Sequence, residues 1–295
     1  MTEFTDALAD VVAATETALL KLIPVNEGPE SQVFQAMRYS VMAGGKRLRP
    51  FLVIASADLF NVSRSSSERV AAAVEMIHTY SLIHDDLPAM DDDNLRRGEP
   101  TCHLKFDEAT AILAGDALLT LAFEVIAHSD THDSAKIRAD LVLEISHAVG
   151  AQGMVGGQML DLFAEKNILG MPEITRLQRM KTGALINCSC QSGAILGKAS
   201  ETQRHLLNAY AYDIGLAFQI TDDLLDIDGH PKELGKAINK DTKAGKATFV
   251  SQLGVERARS QAVILIDQAI KHLDIFGEKA GILRDLARFV IERDN

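Results

Sequence analysis

Apolar residues recur at steps of three and four along most of the chain, which is the spacing that places them on one face of an α-helix. Leu8, Val11 and Val12 form one such series, and Leu118 and Leu121 belong to another. Alternating apolar and polar runs joined by turn dipeptides, which indicate β-hairpins, are scarce. The pattern therefore predicts an all-α protein.

The predicted helices are long and follow one another without a low-complexity linker. Prolines and glycines mark the breaks, because proline ends a helix and glycine caps one. We therefore expect one domain over residues 1–295, a large helical bundle with its site between facing helices. The helices are predicted at 2–23, 29–43, 48–60, 66–87, 107–128, 134–149, 153–164, 173–180, 183–197, 201–228, 247–253, 255–275 and 279–293.

A cluster of carboxylates closes one of these apolar helices. Asp85 and Asp86 lie at its C-terminus, because Pro88 stops the helix soon afterwards. The helix dipole is negative at that end, and Asp91 adds like charge in the following loop. Carboxylates combined with a substrate phosphate are a common way for proteins to hold Mg²⁺. On its own, this cluster is more typical of a solvated acidic loop.

A second acidic cluster changes that assessment. Asp222, Asp223 and Asp226 end another largely apolar helix. Asp222 and Asp226 are four residues apart, so they share one helical face. Two acidic clusters at the ends of two apolar helices favour a pair of walls around one metal site.

Two basic clusters accompany the acids. Lys46 and Arg49 follow a glycine pair that ends the second helix, and Arg96 and Arg97 lie a few residues after Asp91. Guanidinium groups bind phosphate in a bidentate manner. A solvated loop and an arginine pair bridged to the aspartates are the alternatives. With acids suited to Mg²⁺ close by, these cations are candidates for a diphosphate site.

Other candidates are weaker on the residues alone. His78 lies two helical turns before Asp85, although a single helical histidine is more often a core residue. Lys181 and Thr182 stand at a helix junction before a glycine, and Gln219 precedes the second acidic cluster. Lys236 and Lys246 belong to a glycine- and lysine-rich segment. That segment is either a surface loop or a flap that closes over phosphates.

Composition limits the class of protein. The formal net charge of −11 argues against a general nucleic-acid binder, which carries a basic face. The three cysteines form no disulfide framework and favour a reducing compartment. The acidic N-terminus lacks the basic start of a signal peptide, and no apolar run reaches the length of about 20 residues that a membrane helix needs. We expect a soluble, cytoplasmic protein without stable membrane insertion.

Several motifs together resemble one family, the trans-isoprenyl diphosphate synthases, over residues 44–248. Within that family the resemblance is nearest to the bacterial synthases that make farnesyl diphosphate. The motifs, in chain order, are Gly-Gly-Lys-Arg-Leu-Arg-Pro, Ser-Leu-Ile-His-Asp-Asp-Leu-Pro-Ala-Met-Asp, Arg-Arg-Gly-x-Pro-Thr, Gly-Gly-Gln-x-x-Asp, Lys-Thr-Gly and Phe-Gln-Ile-x-Asp-Asp-x-x-Asp.

The resemblance implies the isoprenoid synthase fold, an all-α bundle around a deep apolar cavity, and a homodimer. It also implies a residue set for each ligand. Three Mg²⁺ ions are expected on the carboxylates of Asp85, Asp86, Asp91, Asp222, Asp223 and Asp226, which with Lys181 form the catalytic set. Isopentenyl diphosphate is expected at Lys46, Arg49, His78 and Arg97, and the allylic diphosphate at Arg96, Lys181, Thr182, Gln219, Lys236 and Lys246.

The implied reaction joins isopentenyl diphosphate to dimethylallyl or geranyl diphosphate and yields farnesyl diphosphate by ionisation, condensation and elimination. The departed diphosphate takes the proton, so no protein base is nominated. Tyr80, beside the small Ser81, is implied to stop growth at fifteen carbons. A geranylgeranyl diphosphate synthase is the alternative within the family. A terpene cyclase would not need the second diphosphate site, and a non-catalytic helical subunit would not need both acidic motifs.

Overall fold

The computed structural model describes residues 2–167, 169–228 and 248–292. These residues form two compact units. The N-terminal unit comprises Thr2–Ile54 and Val62–Val142, and the C-terminal unit comprises Ala55–Asn61 and the chain from Leu143 onward. The single domain expected from the sequence stays a prediction.

The elements of the first half are helices joined by short connections, with one small hairpin. The structure is 78% helical, which confirms the predicted all-α class. The elements are α1 Thr2–Leu22, α2 Ser31–Met42, α3 Leu48–Asp58, α4 Arg64–Asp85, β1 Leu95–Arg96, β2 Glu99–Pro100, α5 Cys102–Lys105, α6 Glu108–Ala127 and α7 Ala135–Val149.

The second half continues as helices. A π-helical turn and a 3₁₀ segment interrupt the α-helical series. The elements are α8 Met154–Ala164, α9 Met171–Gln178, the π turn Arg179–Gly183, α10 Ala184–Leu196, α11 Glu201–Asp228, α12 Phe249–Leu253, α13 Val255–His272, the 3₁₀ segment Asp274–Ala280 and α14 Gly281–Glu292.

Helix α4 forms the centre of the N-terminal unit. Every side chain from Val70 to Ile77 is buried, and α6 is its most extensive neighbour. A helix that is apolar on all sides belongs in a core. Glu75 is the charged exception within this stretch, and its partner is Arg47. The helix begins at the N-cap Ser63, whose side chain accepts a hydrogen bond from the backbone of Ser66.

Helix α6 is long and apolar enough, by length and composition alone, to cross a membrane. No apolar run of that length was expected from the sequence, where Asp116 and Glu124 interrupt this stretch. Its buried side chains, among them Leu118 and Ala122, lie in the core where α6 packs against α4. This packing accounts for the apolar side chains on the buried part of the helix.

The hairpin β1–β2 lies outside the predicted helices and was not expected. Leu95 pairs with Pro100 and Arg96 with Glu99. The two residues between the strands, Arg97 and Gly98, have φ angles of 55° and 85°. Positive φ at both central residues is the geometry of a type I′ hairpin turn.

In the C-terminal unit, α11 packs mainly against α13 and α10. Tyr210 of α11 is fully buried, and its hydroxyl donates a hydrogen bond of 2.8 Å to the carbonyl of Leu283 in α14. A buried phenol needs such a partner, because a lone buried hydroxyl would lose its hydration without compensation. The contact fixes the long helix that carries the second acidic cluster.

Candidate active site

The first acidic cluster sits where α4 ends. Asp85 is the last residue of the helix, and the backbone N–H of Asp91 donates a hydrogen bond of 2.9 Å to the Asp85 carbonyl. The intervening turn, which contains Pro88, therefore brings Asp91 back to the end of α4. Both aspartates keep part of their surface exposed. Two carboxylates from one loop thus stand together at a helix C-terminus.

Asp86 is in a different environment from its neighbours. It is 3% exposed, and its carboxylate accepts a hydrogen bond of 3.1 Å from Nε of Arg96, with a second contact from Nη2. Burial raises the pKa of Asp86, and the Arg96 guanidinium offsets part of that effect. Arg96 also lies 3.5 Å from Asp93. The sequence placed Asp86 with the metal and Arg96 with the allylic diphosphate, whereas the structure pairs the two with each other.

The glycine turn after α2 carries the first basic cluster. Gly44 and Gly45 have φ angles of 86° and 121°, values that L-residues rarely adopt. The guanidinium of Arg97, from the hairpin, donates a hydrogen bond to the carbonyl of Gly44. A Cβ on Gly45 would lie 2.4 Å from Cζ of Arg97. Glycine is therefore required for Arg97 to reach this turn.

His78 of α4 contacts the same basic cluster. Its Nε2 lies 3.5 Å from Nη1 of Arg49. Burial lowers the pKa of His78 well below 6.5, and the charges of Arg49 and Arg97 lower it further. The imidazole is therefore neutral near pH 7. The structure thus brings Arg49 to His78 and Arg97 to the turn that bears Lys46, so the residues predicted for isopentenyl diphosphate share one region of the N-terminal unit.

The second acidic cluster occupies the last turns of α11. Asp222 and Asp226 are partly exposed on the shared face that the sequence predicted. Asp223 is 4% exposed and accepts a hydrogen bond of 2.8 Å from the backbone N–H of Phe249, the first residue of α12. Asp223 therefore fixes the start of α12.

Lys181 lies on the π turn between α9 and α10. Its Nζ forms an ion pair of 2.6 Å with Asp161 of α8, a partner that the candidate site list did not include. A Cβ on Gly157 would lie 2.2 Å from the backbone nitrogen of Lys181, so α8 contacts the π turn directly. Such turns are frequent at functional sites. The Gly-Gly-Gln-x-x-Asp motif was the sequence signal for both Gly157 and Asp161.

Gln158 follows Gly157 and is a second residue that is not among the predicted site residues. Both polar atoms of its side chain are buried, and neither has a hydrogen-bond partner in the described part of the chain. Buried amides without partners are rare, which makes Gln158 a candidate contact for a bound molecule or water. Thr182 and Gln219, which the sequence predicted for the allylic diphosphate, are both partly exposed.

Tyr80 is buried one helical turn before His84. The two rings meet edge to face, with centroids 5.8 Å apart. The imidazole Nε2 of His84 lies 3.1 Å from the carbonyl of Ile112, and a Cβ on Gly115 would come within 2.2 Å of that nitrogen. Burial, and then the charge of Asp85, raise the pKa of Tyr80 to about 12. Tyr80 is therefore a neutral ring in contact with His84 of the same helix, and His84 in turn packs against α6.

Two of the predicted allylic diphosphate contacts, Lys236 and Lys246, lie outside the described residues. Ser81 is partly exposed and donates a hydrogen bond of 2.9 Å to the carbonyl of His78. Within residues 2–167, 169–228 and 248–292, no three His, Cys, Asp or Glu side chains are grouped closely enough to hold a metal ion by themselves.

Comparison with known proteins defines the class that this fold and these motifs represent. The family model described as polyprenyl synthetase matches residues 30–279. The chain therefore belongs to the polyprenyl synthetase family. The family resemblance inferred from the motifs is confirmed.

Individual relatives extend over nearly the whole chain. Farnesyl diphosphate synthase of Escherichia coli (strain K12) is 45% identical over an alignment of 297 positions that covers 99% of each protein. Geranylgeranyl diphosphate synthase of Cyanophora paradoxa is 44% identical over 281 residues, covering 95% of this chain and 93% of the relative. An apo crystal structure of an FPP/GFPP synthase from Zymomonas mobilis has a TM-score of 0.91 and 47% identity, covering 98% of this chain and 99% of that one.

Proposed function

We propose that the protein is a prenyltransferase that joins isopentenyl diphosphate to an allylic diphosphate and releases farnesyl diphosphate. The observation that carries this proposal is the cationic region around His78, Arg49 and Arg97, next to the first acidic cluster. A terpene cyclase has one diphosphate to bind, whereas a chain-elongating enzyme binds two. The name of the full-length E. coli relative supports the fifteen-carbon product.

Magnesium fits the donor set. Asp85, Asp91, Asp222 and Asp226 offer hard oxygen ligands, which Mg²⁺ prefers, and the small number of carboxylates in each cluster leaves coordination positions for phosphate oxygens and water. The ions would neutralise charge on the departing diphosphate. Asp86 and Asp223 complete the proposed set of ligands for three Mg²⁺ ions. The first already pairs with Arg96 and the second with a backbone N–H, and these contacts hold their carboxylates in place.

The chain's own residues bind and orient the two substrates. Lys46, Arg49, His78 and Arg97 hold the diphosphate of isopentenyl diphosphate, and the neutral imidazole of His78 adds no charge to that set. Apolar walls exclude water, which would otherwise intercept the allylic cation. The allylic diphosphate is held by Arg96, Lys181, Thr182 and Gln219, with Lys236 and Lys246 as further proposed contacts.

Loss of the proton in the last step needs no protein base. The departed diphosphate is itself a base and stays beside the new bond. The polar groups that we assign to the diphosphate ends are cations, one amide, a hydroxyl and a neutral imidazole already in contact with Arg49. Lys181 orients the leaving diphosphate in this scheme, and its position depends on Asp161.

One incubation tests the proposal. The protein is given radiolabelled isopentenyl diphosphate, Mg²⁺ and either dimethylallyl or geranyl diphosphate, and the products are separated by chain length. We expect farnesyl diphosphate from both primers. A cyclic hydrocarbon, or no incorporation of label, would exclude the proposal.

A geranylgeranyl diphosphate synthase is the second candidate, because the Cyanophora relative with that name is 44% identical to this chain. Tyr80 favours the shorter product, since a buried aromatic ring limits the space available to a growing chain. The same incubation separates the candidates, because a dominant twenty-carbon product would identify the longer-chain enzyme.

We also propose a cytoplasmic homodimer. The three cysteines are free and buried, as befits a reducing compartment. Leu113 of α6 and Leu143 of α7 expose 54% and 70% of their surface, and a partner subunit would cover such side chains. Sedimentation equilibrium should give twice the chain mass of 32.0 kDa. A monomer at micromolar concentration would contradict this assembly.

A further inference from the structure

Arg47 lies between Lys46 and Arg49, yet its environment is the opposite of theirs. Its side chain is fully buried, whereas Lys46 and Arg49 keep part of their surface exposed. No substrate role was predicted for it. Arginine is rarely buried to this extent unless it is paired, so its contacts need an explanation.

The guanidinium of Arg47 connects three helices of the N-terminal unit. Nη1 lies 2.5 Å from Oε1 of Glu75 in α4, and Nη2 lies 2.5 Å from the carbonyl of Val41 in α2. Nη2 is also 3.6 Å from Glu16 of α1. The planar fork of an arginine meets such partners in fixed directions, which a lysine cannot do.

The backbone of Arg47 is equally specific. Its φ of 50° is left-handed, which is unfavourable for a residue with a Cβ. Its carbonyl accepts a hydrogen bond of 3.0 Å from the N–H of Phe51, so Arg47 also sets the start of α3, whose first turn carries Arg49. Side chain and backbone therefore fix the turn and the helix after it in one register.

Stability alone does not explain a buried ion pair here. Replacing a buried ion pair by apolar residues of similar volume is often neutral or stabilising, because burying two charges is costly. The pair does supply a direction. Glu75 and His78 are three residues apart and share a face of α4. The partner of Arg47 therefore stands one helical turn from the histidine that Arg49 contacts.

We propose that Arg47 is a positioning residue of the isopentenyl diphosphate subsite. The Arg47–Glu75 pair fixes the position of residues 44–49 against α4. Arg49 therefore contacts His78, and Lys46 lies beside the diphosphate group that Arg49 binds. This inference rests on the proposed function, because it assigns a task to that subsite.

Arg47→Lys tests the direction of the contact while keeping the charge. We expect the KM for isopentenyl diphosphate to rise about tenfold or more, since small displacements of binding groups have large effects on reaction geometry. The KM for geranyl diphosphate should stay within about twofold, because its proposed contacts at Lys181, Thr182 and Gln219 do not include this turn. Hydrogen exchange at the amides of residues 44–49 should become faster.

A double variant separates positioning from stability. Arg47→Met combined with Glu75→Leu removes both charges and leaves no lone ion in the core. We expect a melting temperature near that of the wild type together with the raised KM for isopentenyl diphosphate. A well-folded double variant with wild-type KM for both substrates would overturn the inference, as would equal rises of both KM values in Arg47→Lys.

A matched control removes an ion pair elsewhere. Arg204→Met with Glu144→Leu deletes the 3.1 Å pair of the C-terminal unit. This control should leave both KM values and the exchange at residues 44–49 unchanged. If the wild-type protein itself shows no Mg²⁺-dependent incorporation of label, the proposed function fails, and Arg47 then has no subsite to position. A wild-type enzyme that is active while the variants keep their KM values contradicts the Arg47 inference alone.

Discussion

His78 contacts Arg49 and lies within the field of several more arginines. Its ring is kept neutral first by burial and then by the charges of Arg49, Arg97, Arg96 and Arg47. A neutral imidazole among guanidinium groups leaves the cationic cluster with a hydrogen-bonding member that is not itself charged. The same arrangement makes the fold sensitive to acid, because the unfolded chain can protonate the ring and the folded chain cannot.

The sign of that effect follows from the lowered pKa. Below about pH 6.5 the unfolded state binds a proton that the folded state excludes, so stability falls as the pH drops. For His78→Gln we expect about 1 kcal/mol less loss of unfolding free energy between about pH 7.5 and pH 5.5 than for the wild type. Urea titrations at the two pH values measure it. Equal losses in both proteins would show that His78 is not held neutral.

Tyr80 is the residue that we expect to limit product length. Replacing its ring by a methyl group opens space next to His84, so Tyr80→Ala should shift the main product from fifteen to twenty carbons or more. Radiolabel chromatography of the products measures the shift. Ser81→Ala is the control, because it removes only a hydroxyl that bonds to the carbonyl of His78. An unchanged product spectrum in Tyr80→Ala would remove Tyr80 from this role.

At the scale of elements, the contact between α4 and α6 supports the residue that limits chain length. Gly115 provides the gap in α6 into which the His84 ring fits. His84 in turn meets the Tyr80 ring edge to face. Close packing transmits a change at one position to the next, because interiors contain few voids that could absorb it.

Gly115→Ala tests this chain of contacts. The added Cβ would lie 2.2 Å from Nε2 of His84, so the imidazole must move. We expect a loss of about 1–3 kcal/mol of stability from overpacking, together with a broader distribution of product lengths. Gly281→Ala is the matched control, because a Cβ there meets nothing within 4 Å. Wild-type stability and products in Gly115→Ala would show that His84 does not support Tyr80.

The same scale shows what the sequence could predict. Helical periodicity and the proline and glycine breaks located α4 and α11 to within about two residues at each end, as expected for strongly periodic segments. The hairpin was missed because two-residue strands are too short to show alternation. The π turn at Arg179–Gly183 was missed because its residues are those of an ordinary helix. The sequence of a segment predicts its local structure, whereas the hairpin and the π turn depend on contacts with other elements.

The sequence also predicted some features of the site and missed others. Motif spacing identified Asp85, Asp91 and Asp226 as candidates, because carboxylates at helix ends have a recognisable pattern. It could not predict that Asp86 pairs with Arg96, or that Asp161 holds Lys181, because those partners meet only in the folded chain. The buried Arg47–Glu75 pair is invisible for the same reason.

At the scale of the whole molecule, the proposed reaction depends on cooperation between two carboxylate sets that lie far apart in the sequence. Asp85 ends α4 and Asp91 lies in the loop after it, whereas Asp222 and Asp226 lie in the last turns of α11. We propose that both sets act on one allylic diphosphate. Groups that act as a unit on a single reaction step show non-additive losses when they are removed together.

The most direct test compares the kcat of Asp85→Ala, of Asp226→Ala and of the double variant, with geranyl diphosphate, isopentenyl diphosphate and Mg²⁺. Each single variant should lose about 10³-fold, and the double variant should lose no more than about tenfold beyond the slower single one. A single variant that turns over at the wild-type rate, or a double variant whose loss equals the product of the two single losses, would contradict the central claim.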